Sequence, residues 1–282
     1  MPKLAVLDIG TNSIHMVLAE VQPDYTYKIL DRFKDMTRLG DGVFTSRRLS
    51  DQAMMRGLEV IRNLVTLARN KGYERIEGVA TSAVREARNG GEFPDHVAQQ
   101  TGLTVRVITG AEEARLIFLG VQNSVALPEP PTLVIDIGGG SVEVIVGNRE
   151  TIYQARSLKL GAIRLKDLYL TKTPPSKAML HELEEAVTGQ LKQALGTYKT
   201  KRVEQIIATS GMAGNLAEVI YLQRTGRPLQ QLNLTKISAK EIAAVEKRLA
   251  DATLKTRLAM TGLDPKRVDT LLPATMVFRI LL

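Results

Sequence analysis

Hydrophobic positions along the chain change period several times, and the changes mark out its elements. Short β-type runs come first: Leu4–Asp8, His15–Val21 and Tyr25–Phe33, with turns at Gly10–Asn12 and Gln22–Asp24. Arg38-Leu-Gly-Asp-Gly42 reads as a loop. The period then becomes helical: Ser50 caps a helix whose Met54, Leu58, Ile61, Leu64, Val65 and Ala68 share one face, ending at Gly72. Glu77–Thr81 predicts a short strand, followed by a helix or turn carrying Arg85 and Arg88. Val105–Ile108 predicts another strand, and 111–125 a helix. Pro128, Pro130 and Pro131 form the clearest linker.

After the linker the order repeats. Leu133–Asp136, Ser141–Val146 and Thr151–Leu158 predict three strands, 176–199 a long helix and Gln205–Thr209 a strand. Ser210-Gly-Met-Ala-Gly214 turns into a helix through Tyr221. Ser238-Ala-Lys-Glu241 is a capping box for a helix with Ile242, Val245 and Leu249 on one face. Two βββ-α-β-α blocks predict an α/β protein of two tandem ribonuclease-H-like domains, the actin-like architecture. The proline linker puts the division at 1–126 and 127–282. A phosphate-holding cleft is expected between the two, with the last helix able to pack back on the first domain.

The strongest chemical signal is a duplicated turn, Asp8-Ile-Gly-Thr-Asn-Ser13 and Asp136-Ile-Gly-Gly-Gly-Ser141. Glycine lets the backbone curl and bring amide N–H groups close to an anion. Gly10, Thr11, Asn12 and Ser13 in one copy, and Gly138, Gly139, Gly140 and Ser141 in the other, are therefore candidate phosphate ligands. Asp8 and Asp136 lead into the turns, where a carboxylate can hold a divalent cation or a water beside the phosphate. Alternation puts Glu143 on the same strand face as Ser141, inside an otherwise apolar run, where it needs a partner or exposure. Glu112 and Glu113 open a helix. They serve its dipole equally well, or one of them deprotonates a water attacking a phosphoryl group. Arg38 and Arg85 are surface arginines or bidentate phosphate clamps. Ser210 and Gly211 form a third phosphate-capable turn, or a plain strand-to-helix connection.

Composition narrows the partners. The 282 residues are 44% hydrophobic and 24% charged, as in a globular chain of two domains. No apolar run reaches the roughly 20 residues that cross a bilayer, and the N-terminus opens directly into a strand, so a cytoplasmic protein is expected. With no cysteine and three scattered histidines, any metal site is oxygen-only, favouring Mg²⁺ or Mn²⁺ over zinc. Net charge +8 and pI about 9.6 point to a polyanion. Aromatics at 4% without Trp, and the lack of a helix-turn-helix or zinc-finger pattern, argue against DNA or RNA; a phosphate chain without bases fits equally, and a merely solvated basic surface is the alternative.

The stretches AVLDIGTNSIHMVLAE, TRLGDG, VATSAVREARN, VITGAEEARLIFLGV, LVIDIGGGSVEVIVG, LKLGAIRL and IATSGMAGNLA occur in that order between residues 4 and 217. Together they resemble the exopolyphosphatase / guanosine pentaphosphate phosphohydrolase family. That resemblance implies hydrolysis of a terminal phosphoryl group from inorganic polyphosphate or from the 5′ end of guanosine pentaphosphate. It implies Glu113 as catalytic base, Mg²⁺ (alternatively Mn²⁺) on Asp136 and Glu143, phosphate on both glycine turns, and Arg85 as clamp. Scarce aromatics favour polyphosphate over the guanosine penta- or tetraphosphate. A non-catalytic sensor of either ligand and an actin-like sugar kinase are weaker alternatives. Many members continue into a C-terminal helical region resembling an HD-type domain. Here the apolar run Thr275–Leu282 has no C-cap and reads as a cut through a helix or a short member. On that reading long chains are gripped weakly, and the resemblance allows a homodimer without requiring it.

Overall fold

The computed structural model describes residues 2–24, 26–196, 203–230 and 234–282. Tyr25, the predicted start of the third strand, and the end of the helix predicted over 176–199 lie outside them. The chain forms two compact units, 1–110 and 111–282.

The first unit carries β1 (Lys3–Ile9), β2 (Ile14–Val21), β3 (Tyr27–Asp35), β4 (Arg75–Ala80) and β5 (Val105–Val107), ordered β3-β2-β1-β4-β5. β1–β2–β3 are antiparallel, while β4 runs parallel to both β1 and β5. Alternation along β1 buries Ala5, Leu7 and Ile9 on one face and leaves Asp8 exposed on the other. Its helices are α1 (Val43–Ser46), α2 (Asp51–Asn70), α3 (Ser82–Glu86) and α4 (Glu92–Thr101). Ser50 caps α2 as its sequence predicts, its side chain accepting from the Ala53 N–H, and Met54, Leu58, Ile61, Val65 and Ala68 form the buried stripe. Helix α4 was not legible, since Pro94 in its first turn and only ten residues blur the period.

The second unit begins one residue into α5 (Gly110–Ser124), followed by β6 (Thr132–Ile137), β7 (Val142–Gly147), β8 (Ile152–Leu158), α6 (Ala162–Tyr169), α7 (Lys177–Leu195), β9 (Gln205–Thr209), α8 (Ser210–Thr225), α9 (Ala239–Asp251), α10 (Leu254–Leu258) and α11 (Leu271–Leu281). Sheet order is β8-β7-β6-β9, with β9 parallel to β6. It repeats the hairpin-plus-parallel-strand plan of the first unit. Each unit is thus ribonuclease-H-like, and the pair is the actin-like fold.

Every residue of β7 is buried, because both faces of this sheet are covered. Leu133, Ile135, Val142 and Val144 pack into one core with α6, α7, α8, α9 and α11. Val134 and Ile145 pack on the opposite face against Ala114, Phe118 and Val121, an i, i+4, i+7 stripe on α5. Gly147 completes this contact: a Cβ there would lie 2.4 Å from the Phe118 ring. Burying Phe118 alone contributes about 1.5–3 kcal/mol. The compact units therefore divide one helix earlier than the proline cluster suggests, with α5 packed in the second. The apolar run after Leu271 is a core helix, α11. Residues 271–278 are buried, and Arg279 holds α7 and α9 through Glu184 at 3.0 Å and Glu246 at 2.7 Å.

Candidate active site

Side-chain parity decides where the carboxylates go. Asp136 shares a strand face with Val134, and Glu143 shares one with Ile145. Both carboxylates therefore project on the face that α5 covers, and the first turn of α5 carries Glu113. Asp136 and Glu143 stand directly opposite each other in the β6–β7 hairpin, a placement that brings side chains to roughly 5 Å. Three carboxylates predicted from separate stretches are thereby brought together within the second unit.

Their environment is costly for negative charge. Glu143 is 1% exposed, and its carboxyl is pushed well above the usual range, first by burial, then by the charges of Glu113 and Asp136. Ser157 Oγ donates to its Oε1 at 2.7 Å, and Ser141 also stabilises its charged form. Burial raises Asp136 as well, opposed by a hydrogen bond from Thr209 Oγ1 to its Oδ2. Glu113 is half-buried in the first turn of α5 beside Glu112.

Among the described residues, no group of three His, Cys, Asp or Glu side chains is spaced to enclose a metal ion by itself. The donor set still fits Mg²⁺. Two opposed carboxylates, Glu143 hydrogen-bonded by the Ser157 and Ser141 hydroxyls and Asp136 by the Thr209 hydroxyl, suit a small hard cation. Such an ion uses one or two carboxylates and fills its sphere with water and phosphate oxygens.

The turn beside them is closed by Gly138 N–H donating to Ser141 O at 3.0 Å. Glycines 139 and 140 and Ser141 are buried. At the end of β9, Ser210 adopts φ 93, a left-handed conformation that a serine rarely takes. Its Oγ accepts from the N–H groups of Met212 and Ala213, opening α8. Gly211 lets the Arg267 guanidinium approach closely, since a Cβ there would lie 2.2 Å from it. Arg267, Thr209, Ser157 and Arg164 were not assigned from sequence. Arg164 and Thr209 lie inside family-like stretches, whereas nothing local marks Ser157 or Arg267.

The first unit holds the other candidates. Gly10 N–H donates to Ser13 O at 3.0 Å, closing the same turn. The loop predicted at 38–42 lies against it, with Arg38 N–H on Asn12 O at 2.9 Å and Gly40 N–H on Thr11 O at 2.8 Å. Thr11 and Asn12 are buried, and Asn12 Oδ1 has no hydrogen-bond partner among the described residues. Arg38, itself at φ 51, pairs with Asp41 at 3.1 Å. Arg85 donates from Nη1 to Ile108 O at 2.9 Å, fixing a half-buried guanidinium at the end of β5. Asp8 stands opposite His15 in the β1–β2 hairpin.

An actin-like fold with converging carboxylates beside a glycine turn defines a class of phosphoryl-handling enzymes. Within it, the chain belongs to the Ppx/GppA phosphatase family, which it matches over residues 8–282; it is a phosphatase. It is 29% identical over 281 residues to "Exopolyphosphatase 2" of Mycobacterium tuberculosis, covering 96% of this chain and 87% of that one. It is 26% identical over 278 residues to a "Putative exopolyphosphatase" of Haemophilus influenzae, covering 98% and 82%. Among solved structures it superposes on an exopolyphosphatase from Cytophaga hutchinsonii with TM-score 0.89 at 29% identity, covering 99% and 90%. The Ppx/GppA family member of Aquifex aeolicus gives 0.79 at 25%, covering 99% and 89%. Among the described residues no helix is long and apolar enough to cross a membrane.

Proposed function

We propose that the chain is an Mg²⁺-dependent exopolyphosphatase, removing the terminal phosphoryl group of inorganic polyphosphate as orthophosphate. The observation that carries this reading is the placing of Glu113, at the start of α5, over the Asp136–Glu143 pair. Glu113 takes a proton from water; the water oxygen bonds to the terminal phosphorus as the bond to the bridging oxygen breaks, leaving the chain one phosphate shorter. Asp136 and Glu143 would hold Mg²⁺, which when bound would supply positive charge against the developing charge on phosphate oxygens. Amides of the Gly138–Ser141 turn and of Ser210–Gly211 take phosphate oxygens in the second unit. Those of Gly10–Ser13, with Arg38 and Arg85, do so in the first. Relatives named as exopolyphosphatases, net charge +8 and the shortage of aromatic residues for guanine support polyphosphate. A cytoplasmic location goes with that substrate.

The test is phosphate release from long-chain polyphosphate and from guanosine pentaphosphate, side by side with Mg²⁺. Faster release from polyphosphate is expected. A preference for the nucleotide makes the chain a guanosine pentaphosphate phosphohydrolase on the same residues. Binding of either without release makes it a sensor.

A further inference from the structure

The stretch Leu158-Lys-Leu-Gly-Ala-Ile-Arg-Leu165 has no role in the reaction above, yet the structure sets it behind the glycine turn. The first amides of α6 take the turn's carbonyls: Ala162 N–H donates to Gly138 O at 2.9 Å, Ile163 N–H to Gly139 O at 2.9 Å and Arg164 N–H to Gly139 O at 3.2 Å. The third carbonyl, Gly140 O, accepts from Arg164 Nε at 2.7 Å. Arg164 is 7% exposed, so this is a buried, charge-assisted bond. Close approach is enforced by Gly161, where a Cβ would lie 2.3–2.4 Å from backbone atoms of Gly139 and Gly140.

In a planar trans peptide the C=O and the following N–H point to opposite sides. Fixing the carbonyls of Gly138, Gly139 and Gly140 against α6 therefore turns the N–H groups of Gly139, Gly140 and Ser141 away from it, as a set. Such successive amides form an anion nest. Three of the four bonds behind the nest come from backbone, and one from a side chain. We infer that Arg164 is a positioning residue: its guanidinium orients and polarises the Gly140–Ser141 peptide so that Ser141 N–H binds a phosphate oxygen. In the first unit the corresponding Asn12 O takes a neutral amide, Arg38 N–H, so this cationic backing belongs to the second turn.

The inference rests on phosphate being the ligand, as proposed above, and its test uses binding rather than turnover. Inorganic tripolyphosphate is titrated in EDTA into the labelled wild-type chain while amide resonances are followed. The Gly139, Gly140 and Ser141 amide protons should move downfield together. In folded Arg164→Gln the Ser141 response should be lost, and affinity should fall about 10–100-fold, the usual cost of removing a residue that orients a ligand-binding group. Arg164→Lys, keeping the charge on a different geometry, should recover part of it. A turn structural only would lower melting temperature without this selective loss at Ser141. Unchanged affinity in folded Arg164→Gln overturns the inference, as does a wild-type titration in which the three amides do not respond; the latter needs no variant to fold. Tripolyphosphate binding at the nest without phosphate release under Mg²⁺ would sink the exopolyphosphatase reading and leave this one standing.

Discussion

In each unit a strand ending in aspartate enters a turn closed by one hydrogen bond, Gly10 N–H to Ser13 O or Gly138 N–H to Ser141 O, both 3.0 Å. The aspartates then meet different neighbours. Asp8 faces His15 across its hairpin, and Asp136 faces Glu143. Asp8 is exposed, and Ser13 Oγ bonds His15 Nε2 at 2.8 Å. Asp136 and Glu143 lie on a sheet face roofed by α5, and burial raises both carboxyls. An acid opposite an imidazole in water is at ease, whereas two acids under a hydrophobic roof need a cation or a proton. The same hairpin thus sets an exposed aspartate opposite a histidine in one unit and two carboxyls, both raised by burial, opposite each other in the second.

The largest effect expected from this asymmetry is at Glu113, the residue the roof adds. Glu113→Gln keeps size and hydrogen bonding but removes the base, and should lower turnover about 10²–10⁴-fold while tripolyphosphate still binds. Glu112→Gln, one position along the same turn, should cost far less. Equal losses at the two sites would mean that both serve only the helix terminus.

The duplicated turn, the two-block order and the three carboxylates that converge at Glu143 were legible because they rest on local pattern: alternation, glycine spacing, capping residues. Ser50 and Ser238 cap α2 and α9 as their spacing predicts. What sequence did not carry was packing. Pro128–Pro131 looks like a boundary, yet Phe118 and Val121 bury themselves against β6 and β7, so α5 goes with the second unit. That the last apolar run, Leu271–Phe278, fills the core of the second unit is likewise set by packing. Arg267 against Gly211 and Ser157 against Glu143 are contacts over 56 and 14 positions, set by the fold and invisible to local spacing.

The metal side of the comparison can be broken directly. EDTA should abolish hydrolysis, and Mg²⁺ or Mn²⁺ should restore it. Glu143→His recreates in the second unit the pairing of the first, and should leave a rate that added Mg²⁺ no longer raises. Asp8→Asn removes an exposed carboxylate, and should change apparent Mg²⁺ affinity by no more than about 10-fold, the lower end for a residue acting at one remove. If Asp8→Asn costs as much as Glu143→His, the exposed aspartate is a full ligand and the asymmetry is not functional.

The backings of the two turns should also differ in tolerance. A Cβ at Gly161 would meet backbone of Gly139 and Gly140 at 2.3–2.4 Å, whereas one at Gly40 would meet first the Thr11 Cγ2 methyl at 2.2 Å. Backbone cannot rotate away and a threonine side chain can. Gly161→Ala should therefore destabilise at the upper end of the roughly 1–3 kcal/mol range for overpacking, and Gly40→Ala at the lower end, read from chemical denaturation. Equal losses would show that the Thr11 side chain is held as firmly as the peptide.

The smallest effect is a gain. Because burial and two neighbouring carboxylates raise Glu143 in the folded chain, the folded state binds its proton more tightly than the unfolded state does. Wherever the folded state holds more protons, stability falls as pH rises. Glu143 therefore adds stability below its unfolded pKa, about 4.3, and loses that contribution as pH climbs through the raised folded value. Without divalent cation, Glu143→Gln should melt higher than wild type at neutral pH, each kcal/mol recovered being worth about 2–4 °C, with the advantage shrinking towards pH 4. Added Mg²⁺ should close the gap from the other side, raising wild type more than the variant, which keeps only Asp136 of the two carboxylates. A variant that melts lower than wild type in EDTA at pH 7 would show that Glu143 is already compensated within the protein by Ser157 and Ser141, and that the second hairpin is no more in need of a cation than the first.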